Sequence, residues 1–375
     1  MAYVLNEAQR GLLEETKKFA QEVLLPHAEQ WERERKLPQD GLKKLREAGY
    51  FSLMFPKELG GGGKSYLEMA LIYEGLVHGD VGIAYFVQLM NTLSYDLVMT
   101  YQAPEQMKEI FPKLISGEQF LCFAFSEPNA GTDPFNATTR FERSGEGYLI
   151  NGEKTWSSNC IDADYLVTFV PDGTPRGMNA FLVPGDAAGL MKEDRQRLAG
   201  NAMSCGTITY NNVKLPPEAL ITENGYVNAL HTIDLARLFV AALTVGIAQR
   251  AIDITVKYLS QRQTFGKPIF KNQYIQFQLV EMNNKVEASR ALIYHCASMV
   301  DAGEPLSTAA AMAKLYCPNL AFEVASECGR FFGGLGVEVN NEITRLAGAA
   351  RAMQIMDGTP EVQKMVLSKL LKQKT

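Results

Sequence analysis

Near the end of the chain, the segment Met356-Asp357-Gly358-Thr359 places a carboxylate directly before a Gly-Thr pair. A carboxylate in a water-poor pocket can remove a proton from a substrate, because burial raises its pKa toward neutrality. Taken alone, the segment fits equally well with an aspartate that caps a helix before a glycine turn. Its interpretation therefore depends on which other segments of the chain could do chemistry.

Three earlier segments carry such residue types: FAFSEPNAGTD (123–133), NGEKTWSSN (151–159) and RQTFG (262–266). The indole of Trp156 is suited to covering a flat ring and excluding water from it. The guanidinium of Arg262 is suited to pairing with a phosphate group. Each segment also has a simpler interpretation, since 123–133 could be a polar loop with an Asx turn and Trp156 a core residue.

Composition narrows the class of protein. The chain has 375 residues, of which 46% are hydrophobic, enough to bury two or three sub-cores. Its net charge of -5 and the lack of a basic run argue against nucleic-acid binding. No apolar run of ~20 residues and no signal segment is recognised, so we expect no membrane span. Six cysteines without CxxC spacing favour reduced thiols in a cytoplasm over disulfides, and predict no metal site.

The hydrophobic pattern predicts an α+β protein with three zones. Residues 1–118 show helical periodicity, 119–226 show short strands, and 227–375 show long amphipathic helices. The predicted strands include Tyr148–Ile150, followed by a tight turn at Asn151-Gly152, and two separate strands at 207–210 and 213–216. The predicted long helices cover 233–261, 274–302 and 308–332.

Two nucleotide-binding motifs are disfavoured. Strands and helices do not alternate and no G-x-G-x-x-G is present, which argues against a Rossmann domain. The loop Gly60-Gly61-Gly62-Gly63 is followed by Lys64 and Ser65, as at the end of a phosphate-binding loop. Glu58 stands where that motif has its first glycine, and no buried strand leads into the loop.

In their order along the chain, the chemical segments resemble those of the acyl-CoA dehydrogenase family of flavoenzymes, over essentially the whole length. The resemblance implies a helical N-terminal domain, a middle antiparallel β-barrel-like domain and a C-terminal four-helix bundle. It further implies FAD as cofactor, an acyl-CoA substrate and electron-transferring flavoprotein as electron acceptor. The family assembles as homo-oligomers, so a tetramer is expected.

The resemblance also suggests which residues contact FAD within one subunit. The Ser126 hydroxyl would face the flavin pyrimidine, Trp156 would flank the isoalloxazine ring, and Ser158 would reach its N5 edge. The full set of expected contacts within the subunit is Phe123, Phe125, Ser126, Thr132, Trp156, Ser157, Ser158, Thr359 and Glu361.

A second group of residues is expected to serve the FAD of a neighbouring subunit. The set comprises Arg262, Phe265, Gln273, Arg330, Gly333 and Gly334. Relatives usually have glutamine where this chain has Arg330, although a cation beside a pyrophosphate is physically reasonable. On this prediction no single subunit holds a complete site, and oligomerisation is required for function.

The resemblance assigns the catalytic base to Asp357. Most relatives read Tyr-Glu-Gly-Thr here, so Met356 replaces an aromatic residue and Asp357 replaces the longer acid. One subgroup carries its base on the long helix after the β domain, but that position is Ala236 in this chain. The expected substrate contacts are Thr132, Asp234, Arg237, Gly358, Leu89 and Met90, of which the last two, with Leu93, fit a plain core equally well.

The shorter acid predicts something about the substrate. Aspartate reaches ~1.5 Å less far than glutamate, and misplacements of ~1 Å can cost ~100-fold in rate. An α-branched or alicyclic acyl group would bring its α-carbon closer to the base, and cyclohexane-1-carboxyl-CoA is the favoured candidate. A short-chain linear or branched acyl-CoA, a nitroalkane-oxidase-like activity and a non-catalytic scaffold remain as alternatives.

Overall fold

Helices occupy both ends of the chain and strands occupy its middle, as the hydrophobic pattern predicts. The computed structural model describes residues 5–101 and 103–373. The helices of the first part are α1 (Glu7–Phe19), α2 (Ala28–Glu34), α3 (Gln39–Glu47), α4 (Tyr66–Leu76), α5 (Val81–Met99) and α6 (Phe111–Ser116). Helices α4 and α5 are apolar on almost every face, because both are buried in the main core.

The middle part contains two four-stranded sheets. The first has the order β1-β4-β5-β8 and the second the order β2-β3-β7-β6. The strands are β1 (Leu121–Ala124), β2 (Arg140–Ser144), β3 (Gly147–Ser158), β4 (Tyr165–Pro171), β5 (Met178–Pro184), β6 (Leu190–Asp194), β7 (Cys205–Leu215) and β8 (Leu220–Thr222). Strand β1 pairs with β4 in parallel, and the other pairs within these sheets are antiparallel. Side chains of both sheets, including Ile150 and Phe181, share one hydrophobic core.

Two local predictions about the strands are wrong. The tight turn expected at Asn151-Gly152 does not form, because β3 runs through it with a bulge between Ile150 and Gly152. A Cβ on Gly152 would lie 2.5 Å from the Thr139 backbone. This glycine therefore permits the residue just before β2 to approach β3 closely. The strands predicted at 207–210 and 213–216 are one continuous strand, β7.

The last part is a helical bundle. Its helices are α7 (Gly225–Gln261), α8 (Gln273–Asp301), α9 (Leu306–Phe331), α10 (Glu342–Ile355) and α11 (Pro360–Gln373), with the small hairpin β9 (Gln263–Thr264) and β10 (Lys267–Pro268) after α7. The helix α7 is long and apolar enough to cross a bilayer by length and composition. However, 72% of its most apolar window is buried, since it packs against α4, α5, α8 and α9 as a core helix.

The backbones of α4 and α7 touch at Gly246. A Cβ at this position would lie 2.4 Å from the main-chain oxygen of Glu74. The buried Glu74 carboxylate accepts hydrogen bonds from Arg290 Nε (2.8 Å) and Tyr294 Oη (2.6 Å) on α8. Three helices therefore meet at one point, where no extra side-chain atom fits without moving a backbone.

We expect Gly246→Ala to lower the free energy of unfolding by about 2 kcal/mol, because overpacking outweighs the better helix propensity of alanine. The matched control is Gly11→Ala on α1, where a Cβ meets no atom within 4 Å. That control should be neutral or stabilising by up to about 1 kcal/mol. Urea denaturation measures both changes, and equal stabilities of the two variants would contradict the close contact.

Candidate active site

Asp357 lies in a tight loop between two helices. Helix α10 ends at Ile355, and α11 begins at Pro360, which is favoured at a first helical position. Between them Asp357 has φ +55° and Gly358 has φ +100°, both in the left-handed region. Aspartate tolerates this region better than most residues do. The Asp-Gly pair of the sequence therefore suits two successive residues in the left-handed region.

Three side chains from three different helices hold this loop by its main-chain carbonyls. Arg237 Nε on α7 donates to the Asp357 oxygen at 2.7 Å. Gln363 Nε2 on α11 donates to the Gly358 oxygen at 2.9 Å. The buried Lys314 on α9 places Nζ 3.4 Å from that same oxygen and 3.5 Å from the Gln354 oxygen.

One oxygen of the Asp357 carboxylate is left free. Its Oδ2 atom is buried and has no hydrogen-bond partner among the residues that the structure describes. Burial raises the pKa of Asp357, and the nearby charges of Lys314 and Arg237 offset part of that rise. An unpaired buried oxygen beside two cations makes Asp357 a candidate functional group. A carboxylate with these properties can accept a proton from a bound molecule.

Arg237 and Gly358 fix each other's position. Arg237 Nη1 donates to Asp234 Oδ1 at 2.6 Å, one turn earlier on α7. A Cβ on Gly358 would lie 2.9 Å from Arg237 Nη2 and 2.9 Å from Gln363 Nε2. Glycine is therefore favoured at this position by its backbone angles, and a Cβ would also displace the ends of these two hydrogen-bonding side chains. The structure thus brings together the predicted residues Asp234, Arg237, Asp357 and Gly358.

Tyr85 on α5 connects this loop to the second chemical segment, and the sequence analysis missed it. Its hydroxyl lies 3.4 Å from Ser158 Oγ. The pKa of Tyr85 is raised, mainly by burial and to a smaller extent by the negative charge of Asp357. Its place one helical turn before Leu89 is the signal that could have identified it, since residues four apart share a helix face.

Trp156 projects from a β-bulge. The register between β3 and β7 shifts between Lys154 and Ser157, and Trp156 has φ +55°. Bulges redirect side chains and are frequent beside functional sites. The indole is 60% exposed, so the interpretation of Trp156 as a core residue is wrong. The Arg195 guanidinium lies 5.8 Å from the ring centroid.

A buried ion pair joins the first segment to the second. Lys154 Nζ donates to Glu127 Oε1 at 2.8 Å and to the Phe125 oxygen at 3.0 Å, and both charged side chains are almost fully buried. The Glu127 carboxylate also accepts from the main-chain N–H groups of Thr138 and Thr139. Burial works against ionisation of Glu127, but Lys154 and these donors bring its pKa below the usual value.

The remaining predicted residues of the first segment lie beside this pair. The main-chain N–H of Thr155 donates to the Ser126 oxygen at 2.8 Å, which ties Ser126 to β3. The rings of Phe123 and Phe125 pack against each other and against Phe169 in a hydrophobic core. Thr132 is exposed. The first and second segments therefore form one continuous unit.

Other predicted residues near the loop differ in burial. Leu89 and Met90 on α5 are buried in the main core, and Leu93 belongs to the core that α5 shares with the first sheet. Thr359 is partly buried, and Glu361 is exposed in the first turn of α11. The main-chain N–H of Glu361 and the Thr359 hydroxyl lower the pKa of Glu361. Among the described residues, no group of three or more His, Cys, Asp or Glu is arranged to hold a metal ion.

The residues predicted to serve a neighbouring subunit gather at the far end of α7. Tyr258, in the last turns of α7, stacks on Phe332 with ring centroids 4.4 Å apart, which brings the end of α9 beside Arg262. Phe265 is fully exposed at φ +49°. The other members of this group are also exposed: Arg262, Gln273, Arg330, Gly333 and Gly334.

This second group is far from Asp357 within one chain. Arg237 contacts the Asp357 loop, and α7 continues for 24 residues to Gln261. At 1.5 Å per residue, the end of the helix lies roughly 36 Å away. The structure therefore separates the predicted site residues into two groups, one at each end of the same helix.

Comparison with known proteins identifies the family. Three family models match: "Acyl-CoA dehydrogenase, N-terminal domain" over residues 6–118, "middle domain" over 122–213 and "C-terminal domain" over 223–372. The mitochondrial short-chain specific acyl-CoA dehydrogenase of Rattus norvegicus is 31% identical over 372 residues, covering 97% of this chain and 90% of the relative. The chain therefore belongs to the acyl-CoA dehydrogenase family, whose members are flavin-dependent oxidoreductases that act on CH–CH bonds.

Solved structures give the same fold, which confirms the predicted fold class. A chain from a study of the electron-transferring flavoprotein of Acidaminococcus fermentans has a TM-score of 0.92 and 30% identity, with 99% of both chains covered. The glutaryl-CoA dehydrogenase of Mycobacterium smegmatis in complex with FADH2 has a TM-score of 0.91 and 26% identity, covering 98% of this chain and 95% of that one.

We expect Lys154→Met to destabilise the protein by about 3 kcal/mol or more, because it leaves the buried Glu127 carboxylate without its cation. The matched control is Lys285→Met, which removes an exposed ion pair with Glu323 and should cost less than about 1 kcal/mol. Urea denaturation at neutral pH compares the two. Similar losses in both variants would show that the buried pair does not anchor the two segments.

Proposed function

We propose that this chain is an FAD-dependent acyl-CoA dehydrogenase in which Asp357 removes the α-proton of an acyl-CoA thioester. The observation that supports this most directly is the free, buried Oδ2 atom of Asp357, flanked by Arg237 and Lys314. A structural aspartate would be expected to use both oxygens in hydrogen bonds. This one is held by its main chain, which leaves the carboxylate available to a substrate.

The residues near Trp156 fit FAD. An indole exposed on a strained backbone is suited to covering an isoalloxazine ring, and strain of this kind clusters at functional sites. The Ser157 hydroxyl is buried without a partner in the described part of the chain. The Ser126 oxygen accepts from the N–H of Thr155, two residues before Ser157 on β3. FAD would supply the acceptor for the β-hydride, which is the chemistry of the cofactor.

The protein's own groups then perform the proton transfer. By resemblance to the family, the main-chain N–H of Asp357 would polarise the thioester carbonyl, and donors of this type contribute about 3 kcal/mol to the transition state. The α C–H bond breaks and its proton passes to the Asp357 carboxylate. The β-hydrogen leaves with its electron pair, so the product is an α,β-unsaturated thioester. The bonds from Arg237 and Gln363 keep the Asp357 loop in place during this step.

An alicyclic or α-branched acyl group is the substrate that we propose, with cyclohexane-1-carboxyl-CoA converted to the cyclohex-1-ene thioester. The short reach of Asp357 supports a crowded α-carbon close to the base. Met356, in place of an aromatic residue, is partly buried against the main core and offers an adaptable side chain beside the loop. The similarity to a short-chain specific dehydrogenase keeps short linear or branched acyl-CoAs as the second candidate. A nitroalkane-oxidase-like activity is the third.

We also propose that subunits share the site. FAD bound beside Trp156 and Asp357 of one subunit cannot reach Arg262 and Phe265 of the same chain, because α7 separates the two groups by roughly 36 Å. Exposed apolar side chains near the second group, among them Phe265, Tyr274 and Phe277, support a subunit contact there. A cytoplasmic homotetramer that passes electrons to electron-transferring flavoprotein is the assembly that the family resemblance favours.

We expect Asp357→Asn to retain FAD and to lose the anaerobic bleaching of the flavin absorbance by acyl-CoA, because the amide cannot accept the proton. Asp253→Asn makes the same chemical change at an exposed position of α7 and should bleach as the unmodified protein does. Bleaching by Asp357→Asn at an undiminished rate would mean that the base lies elsewhere.

An anaerobic titration with a panel of thioesters tests the substrate. Cyclohexane-1-carboxyl-CoA should bleach the flavin faster than butyryl-CoA or octanoyl-CoA, because its ring carries the α-carbon toward the shorter acid. A preference for either linear thioester would refute the alicyclic proposal and favour the second candidate. Rapid recovery of the flavin absorbance in air, with bleaching by a nitroalkane, would favour the third.

A further inference from the structure

Lys314 is a buried lysine without a carboxylate partner. Its side chain is almost fully buried on α9, and no described carboxylate lies within salt-bridge distance of it. Lys154, the other deeply buried lysine, is paired directly with Glu127 at 2.8 Å. Removing an ammonium group from water costs several kcal/mol unless other groups compensate. A purely structural position could have been filled by an apolar side chain at lower cost.

The two hydrogen bonds of Lys314 Nζ among the described residues reach main-chain oxygens on either side of Asp357. Nζ lies 3.5 Å from the oxygen of Gln354, which belongs to the last turn of α10, where helix carbonyls lack partners within the helix. It lies 3.4 Å from the oxygen of Gly358 on the other side of Asp357. The ammonium group therefore spans the base of the loop from one side of Asp357 to the other.

The cations near Asp357 stabilise the charge of its carboxylate without forming hydrogen bonds to Oδ2. Lys314 on α9 and Arg237 on α7 are the cations, Tyr85 on α5 is the facing phenol, and Asp234 offsets part of the charge of Arg237. Both cations donate to main-chain oxygens of the loop, so neither occupies Oδ2. A direct ion pair would hold the anion more tightly but would block the proton transfer.

We propose that Lys314 is a positioning residue for the base: its buried ammonium group anchors the loop from Gln354 to Gly358 and favours the ionised form of Asp357 without occupying the carboxylate oxygens. The inference rests on the proposed role of Asp357. Burial lowers the pKa of Lys314 to about 8, while the charge of Asp357 raises it. The ammonium form is therefore the major one at neutral pH.

The direct test measures the pKa of Asp357 by infrared spectroscopy. The carboxyl stretching band of Asp357 is the one that is lost in Asp357→Asn, and its change with pH gives the pKa. In Lys314→Met this pKa should rise by about one unit or more, since a nearby opposite charge lowers the pKa of a carboxyl by about that amount. Lys314→Arg keeps the charge and should stay closer to the unmodified protein. Lys285→Met is the control for loss of an exposed lysine and should leave the band unchanged.

The same variants should differ in the pH dependence of flavin bleaching. The acid limb of the single-turnover rate reports ionisation of the base, so in Lys314→Met it should move to higher pH by the same amount as the infrared titration. At a pH below the pKa of Asp357 in both proteins, a rise of one unit in that pKa makes Lys314→Met about tenfold slower than the unmodified protein. Should Lys314→Met fail to fold, Lys314→Gln, which removes the charge but can still donate to one carbonyl, carries the same comparison.

An unchanged pKa of Asp357 in a folded Met or Gln variant would overturn the role of Lys314. That result is separate from a failure of the proposed function, in which the unmodified protein would show no bleaching by any acyl-CoA. The infrared titration needs no substrate, so it decides the effect of Lys314 on Asp357 even in that case.

Discussion

The proposed site depends on a loop that is held firmly while one carboxylate oxygen stays unoccupied. Arg237, Lys314 and Gln363 hold this loop through its main-chain oxygens, and Oδ2 of Asp357 has no partner among the described residues. These side chains come from α7, α9 and α11, so the packing of the whole C-terminal bundle fixes the loop. The cost of burying a charge is reduced by two cations, while the free oxygen keeps the chemistry available.

In the β domain too, some residues provide rigid support and others present a side chain outward. Strand pairing and the buried pair of Glu127 and Lys154 provide rigidity, and the bulge after Lys154 turns Trp156 outward. Seven described non-glycine residues have φ in the left-handed region. Four of them, Trp156, Asn159, Phe265 and Asp357, lie in predicted functional segments, where strain of this kind often occurs.

The long helix α7 separates the two groups of predicted site residues. It carries Arg237 beside the Asp357 loop and ends next to Arg262, roughly 36 Å away. Its burial against α4 and α9, with Gly246 at one close crossing, keeps that separation fixed. The two groups of predicted site residues therefore lie apart within one chain, and the proposal that subunits share the site is based on this separation.

The sequence by itself determined the order of the domains and the family, because periodicity and ordered motifs are local properties. It predicted Asp234, Arg237, Asp357 and Gly358 as site residues, and the structure brings these four together. It predicted the turn at Asn151-Gly152 wrongly, since a glycine there suits a close approach to Thr139 as well as it suits a turn. Tyr85 and Lys314 looked like ordinary helix residues, and only tertiary structure brings them to Asp357 from α5 and α9. The charge that a buried group meets depends on residues distant in sequence, so the electrostatics of the base were decided by packing alone.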